Sequence, residues 1–203
     1  MHQYSTTLRA ADPTLEKGRV FARYLNEAAE GFFRFMLGRR FVDILAKAFM
    51  QPDHDLSYQN VTFAERNKLI VGMASGYTAE QHHRSSDRPL KRAAGRYIMR
   101  MIAVSILCAP LLRIIDTIAD GDFYLQAIAV DKELRGEGVG SALMDLIEDR
   151  AVASGSVRLA LDVSAKNEGA RRLYERRGMT VESQWPKRVV IPGLRFFRMT
   201  KSL

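Results

Sequence analysis

The sequence predicts a mixed α/β domain with a helical segment inserted between its third and fourth strands. Three observations predict it. Apolar or alternating runs rich in β-branched and aromatic residues recur at 60–66, 68–78, 123–130 and 157–165. Stretches with helical spacing lie before, between and after them. And "LRGEGVGSAL" (134–143) places glycines at 136, 138 and 140, where a strand reading gives way to a helix reading.

Taken in order, residues 4–10 read as a first strand. "DPTLEKGRVFARYLNEAA" opens a helix, with Asp12 as N-cap and Pro13 at the first helical position. Gly31 breaks the pattern before a second amphipathic helix through "FFRFMLG" and "RRFVDILAKAFM". "DHDLSYQ" reads as a loop. The runs at 60–66 and 68–78, parted by Asn67, read as a hairpin.

Residues 79–121 form a long helical connection, basic at its start (Arg84, Arg88, Lys91, Arg92, Arg96) and apolar at its end. The apolar stretch from Met101 to Leu112 is shorter than the roughly 20 residues a membrane span needs, and Pro110 and Arg113 interrupt a longer reading. The segment is expected to fold over the domain as a lid or to meet a second subunit in a homodimer.

After the strand at 123–130, a helix over 138–154 carries Val139, Ala142, Leu143, Leu146, Ile147 and Val152 on one face and Asp145, Glu148, Asp149 and Arg150 on the other, and Gly155 stops it. An alternating strand (157–165), a short helix closed by Gly178, and two strands at "TVESQW" and "FFRMTK" complete the chain. Pro186 and "IPG" separate the last two.

The totals bound the function. A chain of 203 residues suits one domain, 1–203, with 79–121 as an insertion and 122–180 as a binding core. A net charge of +8 favours polyanionic partners, but no run of five Lys/Arg occurs and no basic stretch is interleaved with aromatics. Nucleic acid is therefore not the expected partner. A single cysteine, Cys108, excludes an internal disulfide and fits a reducing, cytoplasmic compartment. The N-terminus has no apolar core of a signal peptide. His82-His83 has no carboxylate or cysteine at metal-ligand spacing, so it reads as a solvated loop and no metal is expected.

A strand, a glycine loop and a helix N-terminus together present free backbone N–H groups and a positive dipole end, which is a phosphate-binding arrangement. No Gly-Lys-Ser/Thr closes the loop, and its glycines miss G-x-G-x-x-G spacing, so neither a P-loop nor a dinucleotide fold fits. What stands here is Arg135-Gly136-Glu137-Gly138-Val139-Gly140, R-x-x-G-x-G. Asn167, Ala170, Leu173, Tyr174 and Gly178 follow as N-x-x-A-x-x-L-Y-x-x-x-G.

Together these two units resemble the GCN5-related N-acetyltransferase (GNAT) superfamily, closely over 122–180 and in element order over 4–78. That family has only a short turn where this chain has 79–121. The resemblance implies a mostly antiparallel central sheet flanked by helices, with acetyl-CoA bound as co-substrate where the fourth and fifth strands splay apart. It implies acetyl transfer to a primary amine of a small molecule or peptide.

Carried onto this sequence, Ile128, Ala129 and Val130 meet the pantetheine arm, and Arg135, Gly136, Glu137, Gly138, Val139, Gly140 and Ser141 meet the pyrophosphate. Arg135 either adds a charge there or bonds the loop. Asn167 either contacts the arm or caps its helix, and Arg171 reaches a phosphate or is simply solvated. Tyr174 is the expected general acid toward the leaving thiolate. For the base, Asp162 lies twelve residues before Tyr174, the spacing of the carboxylate base in ribosomal-protein N-terminal acetyltransferases. Tyr124, or a water held by Glu27 or Glu30, are the alternatives. Two rival functions remain, a non-catalytic acyl-CoA-binding sensor and a basic nucleic-acid-binding protein.

Overall fold

Asn67 and Lys68 both carry positive φ, 50° and 65°. Their two-residue turn joins β2 (Val61–Arg66) to β3 (Leu69–Thr78) with the twist a hairpin needs. A computed structural model, describing residues 5–109, 117–186 and 195–203, builds outward from this hairpin. On one side lies β1 (Thr7–Ala10); on the other lie β4 (Asp122–Val130) and β5 (Arg158–Ser164), then β7 (Phe196–Ser202) and β6 (Thr180–Trp185). The seven strands run in the order β1-β2-β3-β4-β5-β7-β6. All neighbours are antiparallel except β4 and β5.

Alternation along the strands supplies two buried faces. Val61, Phe63 and Met73 turn toward α1 (Leu15–Ala28) and α3 (Phe41–Phe49), in a core with Phe21, Leu25, Leu45 and Phe49. Ala64 and Ala74 turn the other way, as does Val71, the extra residue of a bulge opposite Ala64 and Glu65, joining Leu143, Met144 and Ile147 of α7 (Val139–Ala153) and Tyr174 of α8 (Glu168–Arg176). Helices thus cover both faces of the sheet.

Several local expectations shift. The N-cap of α1 is Thr14, whose hydroxyl accepts from the Lys17 N–H, and not Asp12. The second predicted helix is broken at Gly38 (φ 71°) into α2 (Phe32–Leu37) and α3. On α7 the buried face is Val139, Leu143, Met144, Ile147 and Ala151, whereas Val152 is 61% exposed. Arg150, on the other face, is engaged by the sheet: its guanidinium donates to the Asn60 and Gly76 carbonyls.

The insertion forms α4 (Ala79–Arg84), α5 (Arg88–Ala94) and α6 (Ile98–Leu107). α5 packs on α3, and α6 packs on α2, where Arg100 donates to the Phe35 carbonyl. Pro110, Leu111, Leu112, Arg113, Ile114 and Ile115 of the predicted apolar run, and the "IPG" at 191–193, lie outside the described residues. Among the described residues no helix is long and apolar enough to cross a membrane.

Candidate active site

β4 and β5 pair only at Asp122–Arg158, Phe123–Leu159 and Tyr124–Ala160. Beyond Tyr124 each follows its other neighbour, β4 along β3 as far as Val130 and β5 along β7 as far as Ser164. The strands therefore open as a wedge. The closed end is fastened by Arg158, whose Nε and Nη2 donate to the buried Asp122 carboxylate at 2.7 and 3.0 Å. Next to the opening, Gln126 is an extra residue in β4, between the pairs Ser75–Ala127 and Gly76–Leu125, and the Ser75 hydroxyl donates to its Oε1 at 2.8 Å. Such a bulge re-aims a strand locally. Gly76 has to be glycine here, because a Cβ would lie 2.6 Å from the Phe123 ring.

The wedge opens into a cavity of about 690 Å³. Its walls come from β4, β5 and α8, from the α1–α2 turn, and from the insertion through His82, Ser85, Ser86, Asp87 and Leu90.

At the far end of β4 lies the glycine loop. Gly136 and Gly138 have φ of 87° and 86°, a backbone region that favours glycine, and Gly138 is the N-cap of α7. A Cβ at either would touch nothing in the protein, so the loop's outer face is open. The N–H groups of Gly138, Val139, Gly140 and Ser141 have no acceptor among the described residues, so they are available to an anion. Arg135 does not project there alone: its Nη2 donates to Glu27 on α1 at 2.9 Å and its Nε to the Val130 carbonyl. Glu137 is held by Arg66 through its carboxylate.

The acetyltransferase (GNAT) family model matches residues 23–179, from α1 to the end of α8. The chain belongs to the GNAT family. A crystal structure of an acetyltransferase is 26% identical, with TM-score 0.69, covering 97% of this chain and 98% of its own. An N-acetyltransferase from Staphylococcus aureus Mu50 is 16% identical, with TM-score 0.71, covering 96% and 100%. The ribosomal-protein-S18-alanine N-acetyltransferase from Escherichia coli is 15% identical, with TM-score 0.55, covering 98% and 94%. No curated protein matches the sequence. The GNAT assignment makes the chain an N-acetyltransferase, and its sheet is the mostly antiparallel one that the fold requires.

Within this GNAT chain the remaining predicted residues fall as follows. Ile128 lines the cavity, with Ala129 and Val130 continuing toward the loop. Asn167 caps α8, its Oδ1 accepting from the Ala170 N–H at 3.1 Å, and also lines the cavity. Arg171 stacks on Phe197 at 4.7 Å and pairs with Glu175, while its buried Nε has no partner among the described residues. Tyr174 lines the cavity and its hydroxyl has no partner among the described residues. Burial pushes its phenol well above the ordinary value, which keeps it a proton donor.

Asp162 is tightly held. Arg198 of β7 donates to both its oxygens, at 2.8 and 2.7 Å, and the Tyr124 hydroxyl donates at 3.0 Å. Burial, then the Asp162 charge, push the Tyr124 phenol well above its usual range, so it too stays protonated.

The reading of His82 as part of a solvated loop is overturned. Thr78 and Gln81 form a capping box that starts α4. One residue later His82 is turned inward, stacked on Tyr77 at 5.7 Å with Nδ1 2.8 Å from Asp55 Oδ2. Both Asp55 and His82 line the cavity. The T-x-x-Q cap was visible in the sequence; Asp55, in a loop 27 residues upstream, was not connected to it. Among the described residues no group of three or more His, Cys, Asp or Glu is placed to hold a metal ion.

Proposed function

We propose that the protein transfers the acetyl group of acetyl-CoA to a primary amine of a small molecule or peptide. The observation that carries this reading is the wedge between β4 and β5, which leads from a buried tyrosine toward a helix N-terminus whose first four N–H groups have no acceptor among the described residues. The residues fit the co-substrate: the unpaired edge of β4 through Val130 suits an amide-rich arm, and the open glycine loop suits a diphosphate. The orphaned Nε of Arg171 adds a donor. When bound, acetyl-CoA supplies an activated acyl group and a thiolate leaving group.

The protein's own groups then divide the work. The α7 N-terminus holds the diphosphate, with Arg135 bracing the loop against Glu27. Tyr174 donates its proton toward the sulfur. A proton must also leave the arriving ammonium. Asp162 has its oxygens committed to Arg198 and Tyr124, the Tyr124 phenol is protonated, and Glu27 is paired with Arg135. The Asp55–His82 pair, which lines the cavity, receives this proton, Asp55 orienting the ring through Nδ1, whereas Glu30 is exposed at the α1–α2 turn.

A half-buried, unpaired Cys108 supports a cytoplasmic setting. The apolar side chains of Met99, Ile106 and Leu107, each more than 70% exposed on α6, support a homodimer contact.

Calorimetry with CoA, followed by thiol release from acetyl-CoA across a panel of amines, tests the reading. CoA binding with amine-dependent thiol release is expected. Binding without turnover would favour the acyl-CoA sensor, and no binding would overturn the assignment.

A further inference from the structure

We propose that the acceptor is a small amine carried on an apolar body and bearing no carboxylate or phosphate, with Glu30 as the residue that selects it. This rests on the acetyl-transfer reading above and narrows it.

The first argument is charge. The chain carries 31 Lys and Arg against 23 Asp and Glu, a net +8. Its cavity inverts that balance. Among the described residues the walls hold Glu30, Asp55, Asp87 and Asp162, and no Lys or Arg. Asp162 is neutralised by Arg198, Asp87 pairs with Lys91, and Asp55 is bonded to His82. Glu30 has no ion pair among the described residues, and is the carboxylate left to receive a cation. An ammonium entering here finds a counter-charge; a carboxylate or phosphate on the same molecule finds repulsion and no cationic side chain on the wall.

The second argument is shape and polarity. Phe32, Phe33, Met36, Leu56 and Leu90 line the same cavity from α2, the 53–57 loop and α5. They suit an apolar group next to the amine. The roughly 690 Å³ must also take the acyl arm, which leaves space for a small acceptor rather than a folded one.

The third is how Glu30 is held. Its N–H donates to the Glu27 carbonyl and the Gly31 N–H to the Asn26 carbonyl, the paired bonds that close a helix with a left-handed residue. Glu30 occupies the left-handed position, at φ 51°, where glycine is the comfortable residue. The main chain thus fixes the Cα of Glu30 at the cavity wall, and glutamate brings there a carboxylate that the comfortable residue would not.

The test uses the full-length protein and matched probes: phenethylamine against phenylalanine, which adds a carboxylate, and against ethylamine, which lacks the ring. Phenethylamine is expected to be the best substrate of the three and to bind the protein–CoA complex by calorimetry. Glu30→Gln should raise its KM by about tenfold, the equivalent of one lost charged contact, more than it lowers kcat, while CoA affinity holds. Glu30→Gly should show the same KM defect with an unchanged or higher Tm, which separates the effect from misfolding. Glu30→Lys should improve phenylalanine relative to phenethylamine.

Preference for phenylalanine or phosphoethanolamine, an unchanged KM in Glu30→Gln, or better turnover of a free-N-terminal peptide would each overturn the proposal while leaving acetyl transfer intact. CoA binding with no amine bound or acetylated would also overturn it. Failure to bind CoA would instead sink the acetyl-transfer reading.

Discussion

Tyr124 donates its hydroxyl to Asp162 at 3.0 Å, and this bond bridges β4 and β5 just where their backbone pairing stops. Arg198 grips the same carboxylate from β7, directly opposite it in register. The side chains of Asp162 and Arg198 are 7% and 9% exposed. Removing one partner from so buried a pair leaves an uncompensated charge, so Arg198→Met is expected to destabilise the fold by about 3–5 kcal/mol. Asp162→Asn combined with Arg198→Met should cost less than the two single changes added together. Urea unfolding of the four proteins measures this; strict additivity would mean that the pair is not coupled.

The loop glycines should separate into two kinds. Gly138 needs its positive φ, so Gly138→Val strains the loop whatever binds it. Gly140 has ordinary helical backbone, and a Cβ there would come no closer than 3.8 Å to the protein. Gly140→Ala is thus the cleaner probe of close phosphate approach. Weaker CoA binding at nearly unchanged Tm is expected by calorimetry, and an unchanged Kd would remove Gly140 from the phosphate site.

Tyr174→Phe keeps the ring among its packing partners and removes only the hydroxyl. A drop in kcat of about 10²–10⁴-fold, with CoA affinity nearly constant, is expected if that hydroxyl protonates the thiolate. Single-turnover kinetics isolate the step. Wild-type rates would make Tyr174 a core aromatic and nothing more.

His82→Ala should lower kcat/KM by about 10²–10⁴-fold near neutral pH. The loss should shrink as pH rises, because more of the amine then arrives already deprotonated. Asp55→Asn should act in the same direction but less strongly, since it disturbs only the orientation of the ring. A pH–rate profile parallel to wild type in His82→Ala would exclude the pair as proton acceptor.

His54 should make stability depend on pH. Its Nε2 lies 2.9 Å from the Ala48 carbonyl and its Nδ1 accepts from the Leu56 N–H at 3.3 Å, which suits the neutral ring. Burial lowers its pKa from 6.5. The unfolded chain therefore takes up this proton first as pH falls. The contribution of His54 is full above about pH 6.5 and declines below it, until the lowered native pKa is reached. Urea midpoints from pH 8 to pH 5 should fall more steeply in wild type than in His54→Gln; equal slopes would show that His54 does not contribute.

Local chemistry was legible in the sequence, and relations between distant segments were not. The loop glycines, Asn167 as a cap and the Asn67 hairpin each follow from backbone preferences within a few residues. So does the strand-to-helix switch after Val130. The Asp55–His82 contact and the grip of Arg198 on Asp162 arise from docking an inserted helix and from strand register, neither of which leaves a local periodicity. The carbonyls of Asn60 and Gly76 that Arg150 meets likewise lie far along the chain from it. Gly38 was read through because its neighbours on both sides favour helix.

The three-residue join between β4 and β5 also divides the molecule mechanically. β1 to β4 form one ladder and β5 to β7 another, and the chain passes between them once, through Gly155. Each half carries its own hydrogen-bonded strands, yet Ala64, Val71 and Ala74 of the first share one core with Leu159, Leu161 and Met199 of the second. Across the seam the halves are joined by those three backbone pairs, the Val157 N–H to the Gly121 carbonyl, the Asp122–Arg158 clamp, the Tyr124–Asp162 bond, Arg198 on the Thr117 carbonyl and the side chains of α7. The two halves are thus welded by buried side chains more than by the hydrogen bonds of the sheet they share.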